Sequence, residues 1–199
     1  MALLTSFPGG APSRWRRRRS ELWLLLAAWF LSGGFALLAQ TAPSRENQIK
    51  AVFLFNFAQF VEWPAQAFPE ARTPLVIGVL GDDPFGPFLD ETVRGEKVNN
   101  RPLVVQRYRR AEEIQICHVL FISGSEAAQL EPDLQLLKGR NILTVGGAEG
   151  FVSRGVMIGF ATEKNKTRLK INVEAAKAAN LTISSKLLRP AEIVNTERK

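Results

Sequence analysis

The stretch Leu75-Val76-Ile77-Gly78-Val79-Leu80-Gly81-Asp82-Asp83-Pro84-Phe85-Gly86 decides the fold class. Residues 75–80 form a continuous apolar run with no polar alternation, the pattern of a strand buried on both faces of a parallel sheet. The next residues end that strand abruptly. Asp83 suits an N-cap and Pro84 a first helical position, which predicts a helix over residues 84–93. A fully apolar strand that leaves directly into a helix is the first half of a βαβ unit.

The same alternation continues outward. Leu103-Val104-Val105, His118-Val119-Leu120-Phe121-Ile122, residues 141–145 and residues 156–162 read as further strands. Arg101, Arg107, Arg109 and Arg110 around Leu103-Val104-Val105 read as a solvated rim. Ser123-Gly124-Ser125-Glu126 leads into a helix broken near Pro132. A hairpin turn at residues 163–167 leads to a sixth strand, with Lys166, Arg168 and Lys170 on one face and Leu169, Ile171 and Val173 on the other. Lysines on such a half-exposed strand discourage edge-to-edge pairing. Asn172 or Glu174 opens an alanine-rich helix, and Ser184 or Ser185 caps a last short one. Upstream, residues 48–63 read as a helix stopped by Pro64. At ~100° per residue, Ile49, Phe53, Leu54, Phe57, Phe60 and Val61 share one stripe, with Gln48, Asn56, Gln59 and Glu62 opposite. The expected fold is α/β: a single domain over residues 44–192, with a mostly parallel five- or six-stranded sheet flanked by helices, a C-terminal hairpin, and a tail at 193–199.

Composition agrees with one globular domain. Of 199 residues, 46% are hydrophobic and 23% charged, and the single cysteine excludes an intramolecular disulfide. The formal charge of +7 suggests nucleic acid until the charges are located. Arg14, Arg16, Arg17, Arg18 and Arg19 precede an apolar run over residues 22–31, followed by Ser32-Gly33-Gly34 and small residues. A basic region, a short apolar core and small residues describe a secretory signal peptide over residues 1–39, cut between about 36 and 42. Residues 22–38 are only slightly shorter than a bilayer span, so an uncleaved anchor is the alternative. Either way, the positive-inside rule places the chain beyond about residue 40 outside the cytoplasm, in the periplasm. The remainder holds 21 basic and 18 acidic residues, a net +3, and carries no aromatic-basic motif of nucleic-acid readers. No nucleic-acid partner is expected.

The residues offer little for catalysis. The turn holding Gly81 and Gly86 lacks the Lys-Ser/Thr of a phosphate loop and the spacing of a dinucleotide turn. His118 is the only histidine and opens an apolar strand, which predicts a packed ring rather than a base or metal ligand. Cys117 beside it is expected to be buried and inert. No enzyme activity, metal or cofactor is expected. In an open α/β sheet the strand C-terminal ends supply any ligand crevice, here Asp82, Asp83 and Phe85 with Ser123, Ser125 and Glu126. These residues read equally as turns and caps. Two aromatics fit the expected core poorly: Phe55, on the polar side of its helix, and Phe151, between glycines in a loop. They are the candidate anchors for a partner or for a second copy of the domain.

Several ordered segments together resemble the YfiR-like family of exported proteins. They are the Phe-rich helix ending Val61-Glu62-Trp63-Pro64, then residues 78–86, Cys117-His118-Val119-Leu120-Phe121-Ile122-Ser123, and residues 171–188 ending Ser184-Ser185-Lys186-Leu187-Leu188. The resemblance implies a single α/β domain and a periplasmic regulator. Such regulators bind the periplasmic sensor domain of an inner-membrane diguanylate cyclase and hold it inactive, and an outer-membrane lipoprotein relieves the inhibition. Those relatives carry paired cysteines; with Cys117 alone, disulfide-based control does not carry over. A periplasmic small-ligand binding protein or carrier is the alternative reading of the same fold.

Overall fold

The computed structural model describes residues 42–163 and 166–194. The expected signal peptide, the tip of the hairpin and the end of the tail lie outside the described residues. The first element is α1 (Arg45–Phe60), where the Ser44 hydroxyl accepts from the Asn47 amide at 3.2 Å. It ends at Phe60, three residues before the expected stop. Pro64 disfavours helical backbone at the residue before it. The chain accordingly runs extended from Val61 into β1 (Val61–Glu62).

The remaining elements are β2 (Leu75–Leu80), α2 (Pro87–Val93), β3 (Lys97–Val98), β4 (Arg101–Tyr108), β5 (Val119–Ile122), α3 (Leu130–Leu137), β6 (Leu143–Gly146), β7 (Ile158–Glu163), β8 (Lys166–Ile171), α4 (Val173–Ala178), β9 (Thr182–Ile183), α5 (Ser185–Leu188) and β10 (Glu192–Ile193). The main sheet has eight strands in the order β10-β8-β7-β6-β5-β2-β4-β3, and β1 pairs with β9 in a separate two-stranded ribbon. Strands β4, β2, β5, β6 and β7 are parallel, β8 runs antiparallel to β7, and β10 is parallel to β8. The expected parallel α/β sheet with a C-terminal hairpin is therefore present, with more strands than the five or six expected.

The extra strands are all short. β3 and β4 form a hairpin around Asn99 and Asn100, whose φ values of 49° and 63° are what a two-residue I′ turn needs. β10 covers β8, with Val194 N–H donating to Ile171 O at 2.9 Å. The lysine-bearing strand is therefore an interior strand and the sheet extends into the expected tail.

The alternation within strands sorts side chains onto two cores. Leu75, Ile77, Val79, Val119, Phe121, Leu143 and Val145 face α1, where they meet Leu54 and Phe57, both 0% exposed. Leu80, Leu120 and Ile122 face the other way, onto Leu130 and Leu137 of α3. Strands buried on both faces need apolar residues at every position, which is why residues 75–80 show no alternation.

Two helix starts differ from expectation. Asp83 does not cap a helix at Pro84; its Oδ1 accepts from the amides of Phe85 (2.7 Å) and Gly86 (3.2 Å), an Asx turn. This turn drives the Phe85 ring inward, edge-on to Phe121 at 4.8 Å, and α2 then starts at Pro87 after Gly86 at φ 52°. Pro132 does not break α3, because it sits in the first turn, where no intrahelical N–H is required. The two later caps are as expected: Asn172 Oδ1 accepts from Ala175 N at 2.9 Å and Ser184 opens α5.

Candidate functional site

Within the sheet, β4-β2-β5-β6-β7 is an order in which the first long strand lies between the second and third. In such sheets the crevice opens outside the C-terminal ends where the connections diverge, here those of β2 and β5. The expected crevice loops do meet there. The Asp82 amide donates to Ser125 Oγ at 3.1 Å, and that hydroxyl donates to Glu126 Oε1 at 3.0 Å. Gly81, at φ 84°, makes the approach feasible: a Cβ there would lie 2.4 Å from Glu126 Oε1 and 2.5 Å from Ser125 Oγ.

Most of these groups are engaged by the protein itself. Ser123 is buried and begins the 3₁₀ turn at Gly124–Ala128. Phe85 is wholly in the core. Asp83 Oδ2 accepts from Arg107 Nε at 2.7 Å, and the same guanidinium reaches Asp90 and the Gly86 carbonyl. Hydrogen bonds donated to Asp90 first, then to Asp83, hold Arg107 firmly in its charged form against partial burial. Arg107 was expected on a solvated rim; instead it ties the β2 loop to α2. Of the three crevice carboxylates, Asp82 is the exposed one, and it has no ion pair among the described residues.

His118 and Cys117 behave as packed groups. The imidazole is 0% exposed; Nδ1 accepts from Val76 N–H at 3.0 Å, so Nε2 carries the proton and donates to Ala67 O at 3.1 Å. Its ring stacks on Phe68 at 4.4 Å, and Arg101 lies 4.0 Å from the centre of that Phe68 ring. Burial pushes the His118 pKa down to about 4, and the Arg101 charge adds to the effect. Burial likewise pushes the Cys117 thiol up to about 12, with Sγ donating to Val119 O at 3.2 Å.

The two aromatic anchors fare differently. Phe151 is only 2% exposed. Its Cβ occupies the space a side chain at Gly146 would need, 2.8 Å away, so the loop folds the ring into the core and removes it from the surface. Phe55 is half-buried and packs against the α1-side core. The exposed apolar residues of α1 are instead Ile49 and Val52, at 37% and 43%. Their i, i+3 spacing makes one ridge, and Ile49 was expected in the buried stripe. Lys50 takes an inward place, its amine 2.7 Å from Glu46 Oε1 and 5.6 Å from the Phe160 ring centre.

Sequence reasoning also missed Asp133. It is 8% exposed, and its Oδ2 is the buried side-chain polar atom without a hydrogen bond among the described residues. Burial, then the charges of Glu126 and Glu112, raise its pKa. No group of three or more His, Cys, Asp or Glu among the described residues is placed to hold a metal ion. No described helix is long and apolar enough to cross a membrane.

Fold and site together define an open, doubly wound α/β domain whose lone histidine, lone cysteine and most crevice side chains are committed to internal contacts. The chain belongs to the YfiR/HmsC-like family (DUF4154), whose model matches residues 47–192. That membership is consistent with a periplasmic regulator of cyclic-di-GMP signalling. Among solved structures, a conserved domain protein from Vibrio cholerae is similar at 16% identity and a TM-score of 0.44, over 59% of this chain. The chain spans about half of that protein, 54% of its length. No curated protein matches.

Proposed function

We propose that the protein is a non-enzymatic periplasmic regulatory binding protein. In this reading it is exported through its N-terminal signal peptide and represses a membrane-bound signalling protein, such as a diguanylate cyclase, by binding its periplasmic sensor domain. The observation that carries the reading is the family match over residues 47–192, nearly the whole described domain. A regulator without a catalytic group acts by binding one state of its partner better than the other. Contacts of that kind rest on a few apolar anchors inside a larger neutral patch. The outward ridge of α1, Ile49 and Val52 with half-buried Phe55 beside it, is the surface we assign to the partner. An outer-membrane lipoprotein that relieves repression, or a second copy in a homodimer, would compete for or share such a ridge.

The test is capture from detergent-solubilised membranes with the purified protein, followed by cyclase assay of the complex. The expected result is recovery of a membrane protein with a periplasmic sensor domain, whose cyclase output falls when the protein is added. Val52→Asp should abolish capture while leaving the melting temperature within about 1–2 °C, as for an exposed substitution. Capture by the variant at wild-type level, or a partner whose output is unaffected, would overturn the reading.

A further inference from the structure

A slot of about 180 Å³ opens to solvent between the C-terminal half of α3 and the face of α4. Its apolar lining is Leu134, Leu137, Ile142 and Met157 with the methyl groups of Ala175 and Ala178. The space exists because α4 presents alanines where larger residues would close the gap. Thr144, also in the lining, is already engaged through its hydroxyl, which accepts from Met157 N–H at 3.1 Å. Lys138 and Arg140 also line the slot, and no Asp or Glu does. Lys138 has no carboxylate partner among the described residues. Arg140 has none there either; it donates from Nη2 to the Gln115 carbonyl at 2.7 Å and keeps its other N–H groups.

An apolar cavity of ~150 Å³ accommodates benzene, so this slot has room for a group of that size. Two cations beside an apolar slot, with no acid facing them, complement a ligand that is apolar in body and anionic at one end. We propose that the slot binds a small organic carboxylate whose apolar part is about the size of a benzene ring. A ligand there would bridge α3 and α4 and would touch Thr144 of β6 and Met157 just before β7. The site is separate from the α1 ridge and does not depend on the regulatory reading.

Benzoate and hexanoate are the probes, titrated into the purified protein while amide NMR signals are followed. Saturable shifts are expected at Gly139, Met157 and Ala178, with a dissociation constant on the order of 1 mM for so few atoms. Benzyl alcohol, with the same ring and no charge, should bind at least fivefold more weakly, and acetate, which lacks the apolar body, should not saturate. Lys138→Glu should weaken benzoate at least fivefold. Ala178→Leu, at an exposed helical position that tolerates leucine, should fill the slot and abolish the shifts while the rest of the spectrum keeps its dispersion. Absence of saturable shifts for both carboxylates overturns the proposal. So does equal affinity for benzyl alcohol and benzoate, or benzoate binding unaltered by both substitutions.

Discussion

Lowering the pH from 7.5 toward 4 should destabilise the domain through His118. The neutral ring has both nitrogens satisfied, one accepting from Val76 N–H and one donating to Ala67 O. Protonation would set a second N–H against the Val76 donor and place a charge beside Arg101 in a buried position. The folded pKa of about 4 lies below the ordinary 6.5, so between these values the unfolded chain binds more protons. Stability therefore rises with pH, is fully present above 6.5 and is lost as pH falls toward 4. Each pKa unit corresponds to ~1.4 kcal/mol. The loss attributable to His118 is therefore about 2 kcal/mol between pH 7.5 and 5, and about 3 kcal/mol by pH 4. Against a total of ~5–15 kcal/mol for a domain, that is a large share. The assay is urea unfolding monitored by circular dichroism at pH 7.5, 6.5, 5.5 and 5.0, on the wild type and His118→Gln. Glutamine offers a carbonyl acceptor and an NH₂ donor group but does not titrate. The wild type should lose about 2 kcal/mol more than the variant over that range. Parallel pH profiles, or an NMR titration of His118 near 6.5, would refute the argument.

Four other positions give equally direct expectations. Asp133→Asn removes a buried carboxylate that lacks a partner for one oxygen and faces Glu126 and Glu112. Because the folded pKa is raised above its ordinary 3.8, wild-type stability falls as pH rises through that region. The variant should therefore be more stable at pH 7 by on the order of 1 kcal/mol, outweighing any helix-dipole benefit, and the gap should close in acid. Phe151→Ala should cost about 3–5 kcal/mol in urea melts, as a core truncation does, and an unchanged midpoint would return the ring to the surface. Cys117 should react with a thiol reagent at pH 8 only as fast as the domain opens, and Cys117→Ser should lower stability by about 1–3 kcal/mol. Gly81→Ala should lower stability by more than the ~1 kcal/mol of an ordinary φ penalty in urea melts, because its Cβ also collides with Ser125 and Glu126.

The strand set was legible because burial on both faces leaves a strand no polar position, and residues 75–80 and 118–122 carry that pattern in local sequence. The caps at Asn172 and Ser184 were legible for a similar reason: a cap is satisfied within three residues of itself. The inert settings of His118 and Cys117 came from their place at the start of an apolar run. What failed were readings that needed to know which elements meet. Phe151 sits among glycines in sequence, yet its ring fills the hole above Gly146, a short way back along the chain and adjacent across the fold. Ile49 belongs to the apolar stripe of α1 by angle alone, but the sheet and hairpin meet that helix along Leu54 and Phe57, leaving Ile49 outside. Arg107 looked like a rim charge until the β2 loop brought Asp83 and α2 brought Asp90 to it. Asp133 carries no signal at all in sequence, since its isolation depends on Glu112 and Glu126 arriving from two other segments. Local backbone preference and periodicity act over a few residues and determined the elements. Which faces are covered, and which charges lack partners, depends on distances between segments, and only the tertiary structure decided those.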